Sequence, residues 1–568
     1  MLTRHRSVVV LGCAIVASAI LLLYLSRGLT PLVDQWGYVY AYRSWSLETL
    51  LTPHNGHLMA LSILLYKAMF SVFGLESQLP YQLLNYALSG LVAALLFALI
   101  RDRVGDLLAL AAAILILFFG AGADVIMPTY AFPNLIGLAT GLGALLALRR
   151  EDLKGDLIAF SLLTISILAY SIGIVFAAGA IAAIAMRPSG QRLRRCWVAL
   201  LPLAVYIVWA LWARKFHQQH LYVHNLKILG SAVADQASAI MAGLSGLFTT
   251  PNGPPSMSNP VPIRTTWGPV LVAGLAVLAY WRIRRGTRLS SSAVASIVVI
   301  LVYFVILGIA LNQFRNTYDT RFVYVGSVFM LLVVAELVAP YRPSRAALGA
   351  IGVVFVFSMC ANVAELGDSA QYLRAQSSLV RAKLAAVKIA GTAADGTVMV
   401  EDPPGAMNFP VAQFHELDVA FDLPAYSEEE LKDSAPGARQ AADEELVRVI
   451  GIAPEAVRSI IPPPGAQPLP VAVPAGAPLP RRRGSCVSLA PSGAAAAEAL
   501  IEFDSGGVAY DSAKPVEVAI GRFSDLPSAS LPSRAGATRI EVPPTDGRTP
   551  WKIGIKATAP TLVCPAAA

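Results

Sequence analysis

Eleven times between residues 8 and 361 the sequence turns apolar for roughly the length that crosses a bilayer, and few folds accept such a chain. A spanning helix needs about 20 predominantly apolar residues at about 1.5 Å rise each. The runs are 8–25, 80–100, 106–121, 131–148, 156–170, 172–186, 196–213, 268–281, 292–311, 322–339 and 345–361. The pair 156–186 reads as a tight hairpin broken at Tyr170-Ser171-Ile172-Gly173. Of 568 residues 56% are hydrophobic and 14% charged, and mean hydropathy is +0.60. Soluble domains carry about 25% charged residues. The expected fold is an α-helical polytopic membrane protein with about eleven spans.

Basic residues set its orientation. Arg4, His5 and Arg6 precede the first run, which is too long for a cleaved signal and reads as an uncleaved helix. With the N-terminus cytoplasmic, the loops Arg101-Asp102-Arg103, Arg149–Lys154, Arg187–Arg195, Arg282–Arg288 and Tyr341–Arg345 face the same compartment, and all are basic. The opposite loops hold Asp34, Asp124, residues 214–267 and Asn312–Arg321. An odd span count then puts everything after Ala361 outside. The formal charge of +8 reports topology and contact with anionic lipid rather than nucleic acid.

Four regions follow: a multi-spanning domain over 1–361, an extracytoplasmic α/β segment over 362–461, a Pro/Ala-rich linker over 462–483, and a small β-sandwich over 484–568. Within the second, Gln371–Lys388 has a helical period, Thr397–Val400 reads as a strand before the turn Asp402–Gly405, and Glu428–Ile450 as one or two charged helices. Cys486 and Cys564 bracket the last region, and outside the cytoplasm a disulfide between them is expected. In the outer loops, the aromatic residues of 37–51 suit a helix in the headgroup region. Segment 229–249 suits a re-entrant or interfacial helix, and Thr250–Pro262 a flexible loop.

The chemistry-bearing residues collect on the outer side. Asp34 stands beside Trp36 just after the first run. A carboxylate desolvated by Trp36 and lipid is expected to have a raised pKa and to serve as a general base; the structural alternative is a helix-end charge beside an aromatic anchor. His54, Asn55 and His57 make a compact turn that can hydrogen-bond a phosphate or bind a metal. Arg315, Tyr318 and Arg321 lie on the loop Asn312–Arg321, where two outer arginines call for an anionic ligand, or for Asp319 as an internal partner. Asp124, Tyr130 and Asn134 are candidates for the same cavity, with capping and turn roles as the alternative. His217, His220 and His224 would share one face of a helix, but no acid or thiol completes a zinc set there. No Walker loop, dinucleotide fingerprint, His-Glu-x-x-His or Gly-x-Ser-x-Gly motif occurs.

Asp34-Gln35-Trp36 followed by His54-Asn55-Gly56-His57, with an arginine-rich Arg315–Tyr324 segment, resembles uncharacterised bacterial members of the GT-C class of membrane glycosyltransferases. Phe322 replaces a tyrosine common in the last segment. A single first-loop acid, and Gly56 where an acid is common, leave the base and a divalent metal open. The resemblance implies a GT-C-like fold and a polyprenyl-phosphate sugar donor. It also implies hexosyl or pentosyl transfer to an envelope glycan or lipid acceptor at the outer face of a bacterial inner membrane. It casts Asp34 as base, Arg315 and Arg321 on the phosphate, and Trp36, His54, Asn55, His57 and Tyr318 as substrate-binding groups. A transporter or flippase of lipid-linked saccharide, or a non-catalytic envelope scaffold, is the alternative; the near absence of charge within the spans, Glu336 excepted, argues against a transport path.

Overall fold

The computed structural model describes residues 4–218, 221–248, 267–284, 289–312, 315–339, 341, 343–401, 408–473, 479–492, 496–504 and 506–566. His220, the loop Thr250–Pro262 and the turn Asp402–Gly405 lie outside them. The chain divides into two compact units, residues 1–73 with 77–374, and residues 74–76 with 375–568.

In the first unit a helix occupies each apolar run. Among the described residues seven helices are long and apolar enough to cross a membrane: His5–Leu25, Leu79–Leu117, Thr129–Ala147, Trp197–Phe216, Ser291–Ile309, Thr320–Val338 and Arg345–Ala393. Shorter apolar helices cover Ala60–Phe73 and Ile172–Ala185. The runs 80–100 and 106–121 form one element, Leu79–Leu117, broken at Gly105 by φ 81° and ψ 165°. That left-handed φ suits glycine alone among common residues, and Arg101 pairs with Asp106 across the break at 2.9 Å.

Small residues let these helices approach, as bilayer packing requires without a hydrophobic drive between helices. A Cβ on Gly141 would come within 2.0 Å of the Phe176 ring, and one on Gly173 within 2.4 Å of the Ile167 backbone nitrogen. Gly173 thereby closes the expected hairpin between Leu153–Ala169 and Ile172–Ala185.

Two readings of the loops change. The aromatic segment 37–51 forms the short helices Asp34–Ala41 and Leu47–Leu51, and Tyr38 and Tyr42 turn inward, only 2% and 4% exposed. Burial against Tyr66 and His54 outcompetes the headgroup position, leaving Trp45 exposed. His217 and His224 do not share a helix face: His217 takes a left-handed φ of 53° that ends one 3-10 turn, and His224 sits in another, Val223–Ile228.

The second unit contains the end of helix Arg345–Ala390, helices Val411–Phe421, Glu428–Lys432 and Pro436–Ile450, and two larger antiparallel sheets. Ser427 and Glu430 form a reciprocal capping box at the start of Glu428–Lys432. The five-stranded sheet runs Ala529–Arg534, Val516–Gly521, Trp551–Ala557, Ala497–Phe503, Val471–Ala472. The six-stranded sheet runs Pro454–Ala456, Thr538–Val542, Gly506–Ser512, Thr561–Ala566, Cys486–Leu489, Arg481–Arg483. The stretch 462–483 thus supplies two edge strands. Trp551, Ile553 and Ile555 alternate inward along the central strand, and each is at most 1% exposed. Cys486 and Cys564 are disulfide-bonded, linking neighbouring strands of the six-stranded sheet across 78 residues. Buried Asp443 accepts backbone N–H groups of Arg522, Phe523 and Ser524 at 2.7, 3.0 and 3.0 Å. Those three bonds meet the cost of burying its charge.

Candidate active site

Asp34 opens helix Asp34–Ala41, and the residue before it carries strain. Val33 has φ 49° and ψ −117°, a region costly for a β-branched side chain. Trp36 holds the bend in place: it is fully buried, and its indole N–H donates to the Pro31 carbonyl at 2.9 Å. Gln35 adds a second tie, donating to Gln78 at 3.2 Å. The strained turn leaves the Asp34 carboxylate about one quarter exposed.

The residues His54 to His57 close a two-residue hairpin. His54 and His57 exchange backbone hydrogen bonds at 3.1 and 2.9 Å, and Asn55 and Gly56 both take positive φ, 47° and 75°. Asn-Gly is the preferred pair for such a turn. The hairpin tip leans on Asp34: His54 Nε2 stands 3.5 Å from Asp34 Oδ1, and the Asn55 amide donates to the same oxygen at 3.3 Å. Tyr38 and Tyr42 wall the His54 ring, with ring centres 4.7 and 5.8 Å away. A Cβ at position 37 would lie 3.1 Å from His54 Cε1, so Gly37 gives the imidazole its room.

Distant segments fasten the same tip. Arg315 donates to the Asn55 carbonyl at 3.0 Å, and the Gly56 N–H donates to Gln218 Oε1 at 2.9 Å. His57 Nδ1 lies 3.0 Å from Ser171 Oγ, with its ring 4.6 Å from that of Tyr170. Arg321 donates to Asp319 at 3.1 Å, so the internal pair weighed from the sequence forms. Even so, Arg321 acts electrostatically on Asp34, Asp124, Tyr130 and Tyr170 together. Tyr318 is half-buried on the same loop, its backbone N–H on Asn316 at 2.8 Å. Asn134 lies in the first turn of helix Phe132–Ala147.

The two carboxylates respond in opposite ways. Burial pushes the Asp34 carboxyl up, but His54, Arg321 and the Asn55 amide together hold it below the usual aspartate range. This reverses the raised pKa expected from Trp36 and lipid, because three partners favour the ionised form. Burial also pushes Asp124 up, and there the opposing Thr320 and Arg321 are too little. Its pKa rises to about 6, with the Asp319 charge adding to the rise. The site therefore holds one firmly ionised acid and one that titrates close to neutrality.

The sequence brought out Asp34, His54, Asn55, His57, Arg315 and Arg321, and the described contacts join the first three directly, with Arg315 on the Asn55 carbonyl. Tyr170 and Ser171 stand out in the sequence only as a hairpin break, and Gln218 not at all; Ser171 lies 114 residues from His57 and Gln218 162 from Gly56, so no local pattern marks them as neighbours of the turn. Among the described residues no three His, Cys, Asp or Glu side chains group closely enough to hold a metal ion.

No family model matches the chain, and no curated protein matches it. Among solved structures it is similar to the crystal structure of ArnT from Cupriavidus metallidurans bound to undecaprenyl phosphate. That match has 12% identity and a TM-score of 0.43, and covers 72% of this chain and 84% of the other. It is also similar to the archaeal oligosaccharyltransferase AglB from Archaeoglobus fulgidus in complex with an inhibitory peptide and a dolichol-phosphate. There identity is 14% and the TM-score 0.35, over 66% of this chain and 58% of that one.

Proposed function

We propose that this chain is a GT-C-type membrane glycosyltransferase that moves a sugar from a polyprenyl-phosphate donor to an envelope glycan or lipid acceptor. The observation that carries the reading is the joining of Asp34 to the His54–His57 hairpin and, through its tip, to Arg315, with Arg321 close enough to act on the same carboxylate. An ionised acid and two guanidinium groups at the end of the first span match what transfer from a lipid phosphate needs.

In the proposed step the acceptor hydroxyl oxygen bonds to the anomeric carbon, and the bond from that carbon to the phosphate oxygen breaks. The electron pair leaves with polyprenyl phosphate, and Arg321 and Arg315 stabilise the charge that gathers there. The hydroxyl proton passes to Asp34. A carboxylate held below its usual pKa is a weak base toward a resting alcohol, so the transfer accompanies carbon–oxygen bond formation, when the hydroxyl has become acidic. His54 holds Asp34 ionised and aimed, Asn55 fixes one of its oxygens, and Trp36 positions the turn from below. His57 and Tyr318 remain as groups for the donor or acceptor.

The test compares envelope glycans and lipids of a deletion strain with those of its parent, then asks whether Asp34→Asn restores them. The deletion strain should accumulate a polyprenyl-phosphate sugar and lose one sugar from an acceptor. Asp34→Asn should insert in the membrane at normal level and restore nothing. Full rescue by that variant would remove Asp34 from the mechanism, and movement of the donor lipid without bond change would replace transfer by transport.

A further inference from the structure

A second cluster of charge lies at the other end of the first helix. Ser7, near its start, donates to Asp106 at 2.9 Å, which ties the Arg101–Asp106 break to that end. Asp34 follows the opposite end of a helix of 22 residues, about 33 Å long. At the Ser7 end, helices Leu79–Leu117, Phe132–Ala147, Ile172–Ala185, Ser291–Ile309 and Thr320–Val338 surround a cavity of about 50 Å³. Arg103, Arg149 and Arg187 line it together with Glu336.

The charges do not balance inside the cavity. Glu336 is buried and engages Arg103 at 3.2 Å, and it accepts the Ser292 hydroxyl at 2.6 Å. That pair neutralises itself. Glu336 also acts on Arg149 through its charge, and the other acidic neighbours of Arg149 and Arg187 among the described residues lie outside the lining. Asp102 is 3.7 Å from Arg149 with its side chain 74% exposed, and Glu151, which pairs with Arg187, is 59% exposed. Arg149 also donates to the Leu99 carbonyl and Arg187 to that of Leu148, yet the lining as a whole sets three guanidinium groups against one carboxylate. Ser291 and Ser292, also in the lining, open the first turn of helix Ser291–Ile309 toward it. The positive end of that helix adds to the field.

The rest of the wall is apolar, with Leu99, Leu145, Leu148 and Leu332 prominent. A free ion gains nothing from those side chains, whereas an amphiphile places its glycerol and upper chains on them.

We infer that this cavity binds the phosphate headgroup of an anionic phospholipid, with Arg149 and Arg187 as its ligands. The site is independent of the proposed transfer chemistry at Asp34. Basic pockets between helices at one membrane face are a recurrent form of lipid recognition, and a planar guanidinium pairs with phosphate through two bonds.

Native mass spectrometry of the full chain, extracted in detergent with equal phosphatidylglycerol and phosphatidylcholine, tests this. The unaltered protein should retain phosphatidylglycerol over phosphatidylcholine by about tenfold, the value of one or two charge-assisted bonds. The double variant R149Q/R187Q should retain both lipids alike. Equal retention by the unaltered protein overturns the inference with no need of a folded variant, and so does an undiminished preference in the double variant. Millimolar inorganic phosphate is the third arm. If it displaces phosphatidylglycerol, the site reads free phosphate and the lipid assignment falls.

Discussion

Asp34 and Asp124 show how the same side chain takes opposite character from its neighbours. His54, Arg321 and Asn55 hold Asp34 ionised, whereas burial wins at Asp124. The two then affect stability with opposite sign. Asp34, with its folded pKa lowered, contributes stability at neutral pH that is lost as pH falls through that value. Asp124 keeps a proton in the folded state that the unfolded chain releases, so stability falls as pH rises between about 4 and 6. Asp124→Asn should flatten the melting temperature of the purified protein across that window. The same titration should reach the ligand. Above about pH 6 the Asp124 charge competes for Arg321, so binding of a polyprenyl-phosphate lipid should weaken as pH rises. The variant should bind with little pH dependence, and a calorimetric titration at two pH values decides it. Gly56→Ala would force a side chain onto φ 75°, costing about 1 kcal/mol. A fall in sugar transfer, with protein still extractable from the membrane, is the expected result. Asn-Gly made this turn legible. The pKa of Asp34 was not, because its partners lie up to 287 residues away.

The helices show which boundaries periodicity captures. Apolar length marked every membrane-length element among the described residues, and the break announced by Arg101-Asp102-Arg103 is made at Gly105 by a change of backbone conformation inside one element. The hairpin at Tyr170–Gly173 was visible as a small-residue interruption. Its tightness comes from Gly173 lying against Ile167 backbone. Gly173→Ala sets a methyl group 2.4 Å from that nitrogen, so overpacking should cost about 1–3 kcal/mol. Since Ser171 and Tyr170 sit against His57, the variant should lose transfer activity along with thermal stability, which a melt and an activity assay on the same preparation would show. The tyrosines of segment 37–51 illustrate the reverse. Their composition suits a headgroup belt, yet Tyr38 and Tyr42 fill the wall behind His54, since ring stacking and burial outweigh an interfacial position.

At the scale of the whole molecule, the second unit is held by a covalent link as well as by packing. The sheets of the second unit depend in part on Cys486–Cys564, which closes a loop of 78 residues. By loop-closure entropy such a link is worth about 4 kcal/mol. Cys486→Ala should therefore lower the melting transition of that unit and speed its proteolysis, with no change in the membrane helices by circular dichroism. The sequence by itself determined the membrane character, the place of the membrane-length helices, the cysteine pair and the Asn-Gly turn, but not the shorter apolar helix Ala60–Phe73. These follow from local hydrophobic length, from redox-permissive spacing, and from the backbone angles two adjacent residues accept. Only the tertiary structure decided that His54 and Asn55 rest on Asp34, that Arg315 grips the turn from 260 residues away, and that Asp34 is ionised rather than neutral. Those outcomes depend on which distant charges share a partly buried space, and a carboxylate carries no mark of that in its own neighbourhood of the chain.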